Sequence, residues 1–524
     1  MTGHWDLYIP FVALSLRLLR SGGYHSFILP DAVAREKYAS SLRVTLVRDT
    51  SLVRWTHFEG ENVFDEVSRH CAIYVILKEK PSPAWEVIFE KPPAITCTAQ
   101  TLYKVPLAEW LVGPTNQFRP KAARAEISEI LKRIDALSIR LGQYCYVMVG
   151  ATVHSKDGKS FRKADVISKT PTGNAKQFFD GKTLHRYEIE LDDRFLDYRR
   201  EQMYGPRVPE LFENPKIVVR DVTDKNERPV VSYDDQGLYC DHLVTCVTPY
   251  RNIEGTGAQT DFEGYSRIDQ DVPDLLFTLA VVASSLIAWY FREVFATGTL
   301  QGSYSHTYPK QVRDFPIRRI SFTTPAPERA RLGAELQELY GAGKFEEILS
   351  SVDACLPKDA QGNFISDQER SDVVHDLLAF LAERMLEMNR EKQQEIKGFL
   401  SWLEGEIGSR VEDLTPKTRV QSYYDYDWDE FYAVLKKNKT RLSINPSARE
   451  KSELLKDEFG KSVAKLGPLR ERIERTDRLI DAVVYRLYGL NEGEIGIVEG
   501  STNEKARMIG RLFLDLQGLD KVKS

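Results

Sequence analysis

Apolar positions along the first ninety residues change period from one segment to the next. Leu7, Phe11, Leu14, Leu18 and Leu19 recur at the three-to-four spacing of one helix face, and Ser21-Gly22-Gly23 ends that run. Ser26 to Leu29 is a short apolar strand stopped by Pro30-Asp31. Ala34, Tyr38, Leu42 and Leu46 predict a second helix, and Leu52 to Phe58 a second strand. Cys71 to Leu77 (CAIYVIL) is apolar on both faces, the signature of a central strand. The order helix, strand, helix, strand, strand is α/β. A doubly wound sheet opens with a strand and a glycine-rich turn that receives a cofactor, whereas this chain opens on a helix. Three strands cannot complete such a sheet and leave an edge open, so the segment reads as the second half of a domain.

Lys80 to Pro93 (KPSPAWEVIFEKPP) reads as a Pro-rich linker. Beyond it the pattern predicts helices near 107–112 and 122–140 and strands at Tyr144–Val149, Lys216–Val222 and Leu238–Val247. Leu275 to Phe291 is uncharged for 17 residues, the short limit for a membrane span, but Asp274 and Arg292 bound it tightly. A buried helix of a large domain fits better. From about 325 the chain is helical and charge-rich. Val374, Leu377, Leu378, Leu381, Met385 and Met388 form one stripe, and Leu479 to Leu487 another, with Asp477 as a candidate N-cap.

Length and charge narrow the choice. A chain of 524 residues allows about three domains, and 42% hydrophobic with 28% charged residues is globular composition. A net charge of -5 excludes a uniformly basic nucleic-acid protein but allows a local basic groove. Six irregularly spaced cysteines without a CxxC pair predict a reduced, cytoplasmic protein, and no signal peptide is recognised at the N-terminus. Cys240, His242 and Cys246 share one parity and could ligate zinc; packing of a buried strand face explains the same pattern, and no metal is expected.

Hydrolytic triads and phosphate loops lack their motifs: there is no Gly-x-Ser-x-Gly, GxxxxGK[ST] or GxGxxG after a strand. The stretch His154 to Arg186 is more informative. It holds eight Lys/Arg, including Lys156, Lys159, Arg162, Lys163, Lys182 and Arg186, against three Asp, with Phe161, Phe178 and Phe179 interleaved. Basic groups among loops and aromatics suit a phosphate backbone, and a solvated basic surface has the same composition. Ser303, Tyr304, His306 and Lys310 form a second polar, aromatic segment whose groups can bond bases or phosphates.

Several motifs then occur in the order of one family. Asp6-Leu7-Tyr8-Ile9-Pro10-Phe11, Leu18 to Gly23, Phe27 to Pro30, Tyr38 to Arg43 and Val63-Phe64 come first. Gly181-Lys182-Thr183-Leu184-His185-Arg186-Tyr187, Glu210 to Arg220 (ELFENPKIVVR) and Phe315-Pro316-Ile317 follow, and the end from Ile480 to Glu499 completes the set. The chain resembles the C-terminal part of adenine-specific DNA methyltransferases with a TaqI-like target recognition domain, the type IIG restriction-modification family. Ala283-Ser284-Ser285 departs from that family's Leu-Asn-Ser turn.

The resemblance implies S-adenosylmethionine as cofactor, bound through a glycine-rich loop, and an Asn-Pro-Pro-Tyr loop holding a flipped adenine. Neither loop is present, and Pro92-Pro93 lacks the required Asn or Asp. The expected fold is α/β and α+β multidomain: an incomplete Rossmann-like methyltransferase half (1–95), an α+β target recognition domain (96–320) and a helical accessory domain (321–524). The expected function is sequence-specific recognition of double-stranded DNA, with methyl transfer requiring a missing N-terminal half or a partner chain that carries it. The alternative is a stand-alone, non-catalytic DNA-binding specificity subunit, or a decayed fragment. By resemblance Phe64 stacks on the flipped base. Lys156, Lys159, Arg162, Lys163, Lys182 and Arg186 are expected to dock on phosphates, while Arg220, Ser303, Tyr304, His306 and Lys310 lie in base-reading loops.

Overall fold

The computed structural model describes residues 6–34, 36–58, 71–91, 101–107, 110–112, 117–118, 125–171, 173–224, 226–262, 264–295 and 305–500. The molecule is a mixed α/β multidomain protein with a helical C-terminal region. Its first module consists of α1 (Tyr8–Leu18), β1 (Tyr24–Pro30), α2 (Ser40–Arg48), β2 (Ser51–Phe58), β3 (Cys71–Leu77), β4 (Glu86–Lys91) and β5 (Thr101–Pro106). The strands form one sheet in the order β1-β3-β2-β4-β5. β3 lies antiparallel to both β1 and β2, so the sheet is mixed rather than wholly parallel.

β3 buries Ala72, Tyr74 and Ile76 beneath the helices, alongside Leu29, Leu52 and Trp55. The Pro-rich stretch 80–93 is not a linker. Pro81 and Pro83 precede β4, whose Val87 and Phe89 alternate into the same core. β5 pairs with β4 along its length, so the sheet runs past residue 95. Trp110 and Phe118 close this core edge-on against Trp55, and residues 111–112 form a short strand where a helix was expected.

The other edge differs. β1 pairs only with β3 among the described residues. α1 buries Tyr8, Ile9, Val12 and Leu16 on the module but leaves Leu7, Phe11, Leu14 and Leu18 bare, Phe11 at 60% and Leu18 at 77% exposure. The outer face of β1 exposes Tyr24 and Ile28. Among the described residues this leaves apolar side chains exposed on the helix and on the edge strand.

The second module is built on an antiparallel sheet. Its elements are β6 (Cys145–Val149), β7 (Thr152–Ser155), β8 (Met203–Gly205), β9 (Lys216–Arg220), β10 (Val231–Asp234) and β11 (Val244–Pro249). The order is β10-β9-β11-β6, with β7 and β8 forming a separate ribbon. β9 is buried along Lys216 to Val219, and the Lys216 ammonium is neutralised by Asp234 on β10. The strand expected over 238–247 is broken by a turn at Asp241–Leu243 between Tyr239–Cys240 and β11.

The apolar run 275–291 is two helices, α3 (Leu275–Ala283) and α4 (Ser285–Val294), bent by 64°. Both are buried along most of their length, so the run is core. No single helix among the described residues is long and apolar enough to cross a membrane. The helical region is dominated by α5 (Ser371–Ile407), α6 (Trp428–Lys437) and α7 (Arg449–Leu487). α7 runs unbroken through Pro468, so Asp477 lies inside a helix and is not a cap. The first half of α5 and the last half of α7 share one core with α3 and α4. The other halves join α6 in a satellite core of Phe399, Leu403, Tyr423, Phe431 and Phe459.

Candidate nucleic-acid interface

β6 and β9 finish, and β10 and β11 begin, at the same end of the second sheet. The chain therefore delivers several loops to one place. β6 passes through Gly150 into the β7–β8 ribbon, where a Cβ at Gly150 would lie 2.4 Å from the Asp241 carbonyl oxygen. The segment 305–308 is tied to the loop after β9 by Thr223 N–H on the Ser305 carbonyl (2.9 Å) and Thr307 N–H on the Asp221 carbonyl (2.7 Å). Asp221 N–H bonds the Leu243 carbonyl at 2.9 Å. Gly181 approaches the Arg220 side chain and Leu243, which brings the turn bearing Lys182 to the same end.

Three large apolar side chains are exposed here: Tyr204 (65%), Tyr308 (54%) and Leu243 (43%). Among the described residues outside α1 and β1, only Leu454 is comparable. His154 stacks on Tyr204 with ring centroids 5.0 Å apart, and His306 on Tyr308 at 5.4 Å and 10°. Burial, then the charges of Asp221 and Glu36, raise the Tyr308 hydroxyl pKa, so it stays a neutral donor. Glu36 belongs to the first module, which therefore lies near this end. Lys156, Lys159, Arg162 and Lys182 are exposed. Lys310 is exposed and pairs with Asp314 at 3.1 Å. His306 Nδ1 lies 3.1 Å from Asp221 Oδ2. Flat aromatic faces, ring nitrogens and free ammonium groups are the groups that meet base edges and phosphates.

Three expected contacts have internal partners instead. Arg186 makes a two-pronged ion pair with Asp477 of α7, with N–O distances of 2.6 and 2.7 Å, and donates to the Ala283 carbonyl at the end of α3. Burial alone would lower its pKa, but Asp477 more than offsets this and keeps the guanidinium charged. Asp481, one turn further along α7, accepts from the Ser285 N–H and hydroxyl at the start of α4. The turn Ala283-Ser284-Ser285 is thereby clamped to the helical region, and Arg186 is a joint between modules. Arg220 donates to the carbonyls of Val222 (2.8 Å) and Thr223 (2.9 Å), so it shapes its loop. Lys163 lies 2.5 Å from Asp241 and 3.6 Å from Asp180. Phe64, Ser303 and Tyr304 lie outside the described residues.

Zinc is not assembled by Cys240, His242 and Cys246. The two sulfurs are buried 3.4 Å apart, while His242 sits exposed in the turn that breaks the parity. No group of three metal-ligating side chains occurs among the described residues. The sequence reading missed His154, Tyr204, Leu243 and Tyr308. His306 and Tyr308 stand two apart on an extended segment, a legible signal. Tyr204 meets His154 across fifty residues, which no local pattern reveals.

A bound S-adenosylmethionine would need a glycine turn open to the ligand at a strand end. Gly22 and Gly23, the described glycines of the first module, form instead the closed turn from α1 to β1, bonded to the Lys78 backbone. The described residues do not form a cofactor cradle.

Residues 176–317 match the TaqI-like C-terminal specificity domain, and residues 1–64 match the Eco57I restriction-modification methylase. Residues 368–484 match a domain of unknown function, DUF8810. The resemblance read from the motifs therefore holds: the chain is similar to type IIG restriction-modification enzymes. A protein of Methanocaldococcus jannaschii named as a type II restriction enzyme and methyltransferase is 21% identical over 323 residues. That match covers 60% of this chain but 25% of the relative, so this chain corresponds to about a quarter of that protein. Among solved structures, the type IIL restriction-modification enzyme MmeI in complex with DNA aligns over 95% of this chain and 51% of its own, at 9% identity and a TM-score of 0.40. The type IIG restriction endonuclease BpuSI aligns over 73% and 49%, at 13% identity and 0.26. Scores this low carry no argument about this chain.

Proposed function

We propose that this chain is the DNA-reading part of an adenine-specific DNA methyltransferase of the restriction-modification type, acting in the cytoplasm on double-stranded DNA. The observation that carries the reading is the end of the second sheet. Exposed Leu243, exposed Lys182 and the His306–Tyr308 stack stand on loops at that end, and the β7–β8 ribbon that leaves it carries the His154–Tyr204 stack and exposed Lys156 and Lys159. Lysines fix the phosphates and the exposed rings and imidazoles contact base edges in a groove. The first module contributes one wall of the pocket for the flipped adenine, with Phe64 as the aromatic that stacks on it.

The S-adenosylmethionine site and the catalytic loop would come from a missing N-terminal half or a partner chain that completes the first sheet. The unpaired edge of β1 and the bare stripe Leu7, Phe11, Leu14 and Leu18 support that part of the reading. Restoration of such a half should give transfer of labelled methyl groups to adenine. The loops at the end of the second sheet belong to this chain, which favours DNA binding even without the missing half.

The test is selection of bound duplexes from a random pool by the purified chain, then repetition with Tyr204→Ala and Tyr308→Ala. A single enriched site in the wild type, relaxed in the variants, is the expected result. Binding without any enriched site would leave only a general DNA-binding protein.

A further inference from the structure

The helical region carries a second charged surface that the reading above does not use. Beyond Lys397, which donates to the Leu191 carbonyl at 2.5 Å, α5 continues ten residues into the satellite core, about 15 Å at 1.5 Å per residue. At that far tip the sequence Lys436-Lys437-Asn438-Lys439-Thr440-Arg441 carries four positive charges and no carboxylate in six residues, within a chain of net charge -5. Asn438 is buried and fixes the tip by bonding both the N–H and the carbonyl of Thr415, which holds the loop bearing Lys417 beside it.

The charges of α6 are segregated. Asp427, Asp429 and Glu430 stand at its start and Lys436 and Lys437 at its end. The helix dipole favours that arrangement, but Lys439 lies beyond the helix, where the dipole gives it no such role. Pairing makes the distinction sharper. Lys461, Lys465, Arg449 and Arg478 on α7 each lie within 4 Å of a carboxylate. Lys436, Lys437 and Lys439 are exposed and have no ion pair among the described residues, and Lys436 packs its ammonium only over the Tyr432 ring. Unpaired like charges held together on one tip raise the local positive potential and attract a polyanion, which gains by displacing small counterions.

We infer that this tip is a second binding site, specific for the phosphate backbone of a DNA duplex and indifferent to base sequence. It grips the flank of a duplex whose target lies at the end of the recognition sheet. This inference rests on the proposed DNA recognition and gives the helical region a part in it: holding register and adding affinity, without reading bases.

The test uses the full chain with Lys436, Lys437 and Lys439 changed together to Glu, and separately to Gln. Affinity is measured against salt on the selected target bare and with ten flanking base pairs on each side. On the flanked duplex the Glu variant should bind roughly tenfold more weakly at physiological salt, with a salt slope reduced by about one per lost contact. The Gln variant should lie between. The bare target should be bound equally by all three proteins, and the ratio of target to random duplex should not change. Wild-type affinity and slope for the Glu variant on the flanked duplex would overturn the inference, as would an equal loss on the bare target. Failure of the wild type to bind any duplex would overturn both readings. A random-pool selection without an enriched site, together with a reduced slope in the Glu variant, would remove only the recognition reading.

Discussion

Arg186 shows how a charged residue can change role once its surroundings are known. In sequence it closes a run of cations; in the fold its guanidinium joins Asp477 and caps α3 through the Ala283 carbonyl. Removing one partner of a largely buried pair leaves the other charge poorly compensated, though some exposure to water reduces the penalty. Arg186→Ala should therefore cost about 2–3 kcal/mol of stability, read as a lower urea midpoint. A phosphate-docking role would leave the midpoint unchanged and weaken only DNA binding. Asp180 gives a pH dependence of known sign. Burial raises its carboxyl pKa, but the hydrogen bond and charge of Arg194, with help from Lys182 N–H and Lys163, hold it below the usual range. Its contribution is complete above the unfolded aspartate value of about 3.9 and is lost as pH falls through the lower folded value. Asp180→Asn should flatten the acid limb of stability against pH. At the exposed stacks, Tyr204→Ala should leave stability within about 0.5 kcal/mol and reduce discrimination among duplexes roughly tenfold, measured by competition binding.

At the scale of elements, the reading end depends on how closely strands approach. β6 can turn into the β7–β8 ribbon only because Gly150 has no side chain: a Cβ there would meet the carbonyl oxygens of Cys240 and Asp241 at 2.5 and 2.4 Å. Backbone cannot yield as a flexible side chain can, so Gly150→Ala should cost about 3 kcal/mol, the upper part of the range for overpacking. Thermal unfolding checks the stability, and DNA binding should fall with it because His154 and Tyr204 ride on the displaced ribbon. The elements easiest to read in sequence were those with strong local periodicity. β3 and the stripe of α5 stand where their patterns put them. β4 was masked by the prolines around it, and the break between α3 and α4 was hidden because both helices are buried on nearly every side.

For the whole molecule, the first module's open flank is the feature with a consequence in solution. Leu7, Phe11, Leu14 and Leu18 form a stripe at helical spacing with nothing over it among the described residues, and Tyr24 and Ile28 are exposed on the edge strand β1. Such a patch binds hydrophobic dyes and promotes association. Phe11→Asp with Leu18→Asp should lower dye fluorescence and self-association without lowering the melting temperature, and the variant should lose the capture of a methyltransferase half that is expected of the wild-type chain. Dye binding unchanged by both substitutions would mean that the stripe is covered.

The sequence by itself determined the kinds of element, the helical C-terminal region and the order of motifs that gives the resemblance. These rest on local periodicity and on residues adjacent in the chain. The continuation of the first sheet into β5 was decided by pairing between segments, as was the division of the long helices between two cores. The reading end was decided in the same way. Lys182, Leu243 and Tyr308 are far apart in sequence and lie on loops brought to one end because β9 finishes and β11 begins there. Charge alone could not separate Arg186, held by Asp477, from Lys182, which has no ion pair among the described residues, because the carboxylate that distinguishes them lies 291 residues from Arg186. Only the fold brings such partners together, and partners decide whether a cation holds the protein or stands exposed at its surface.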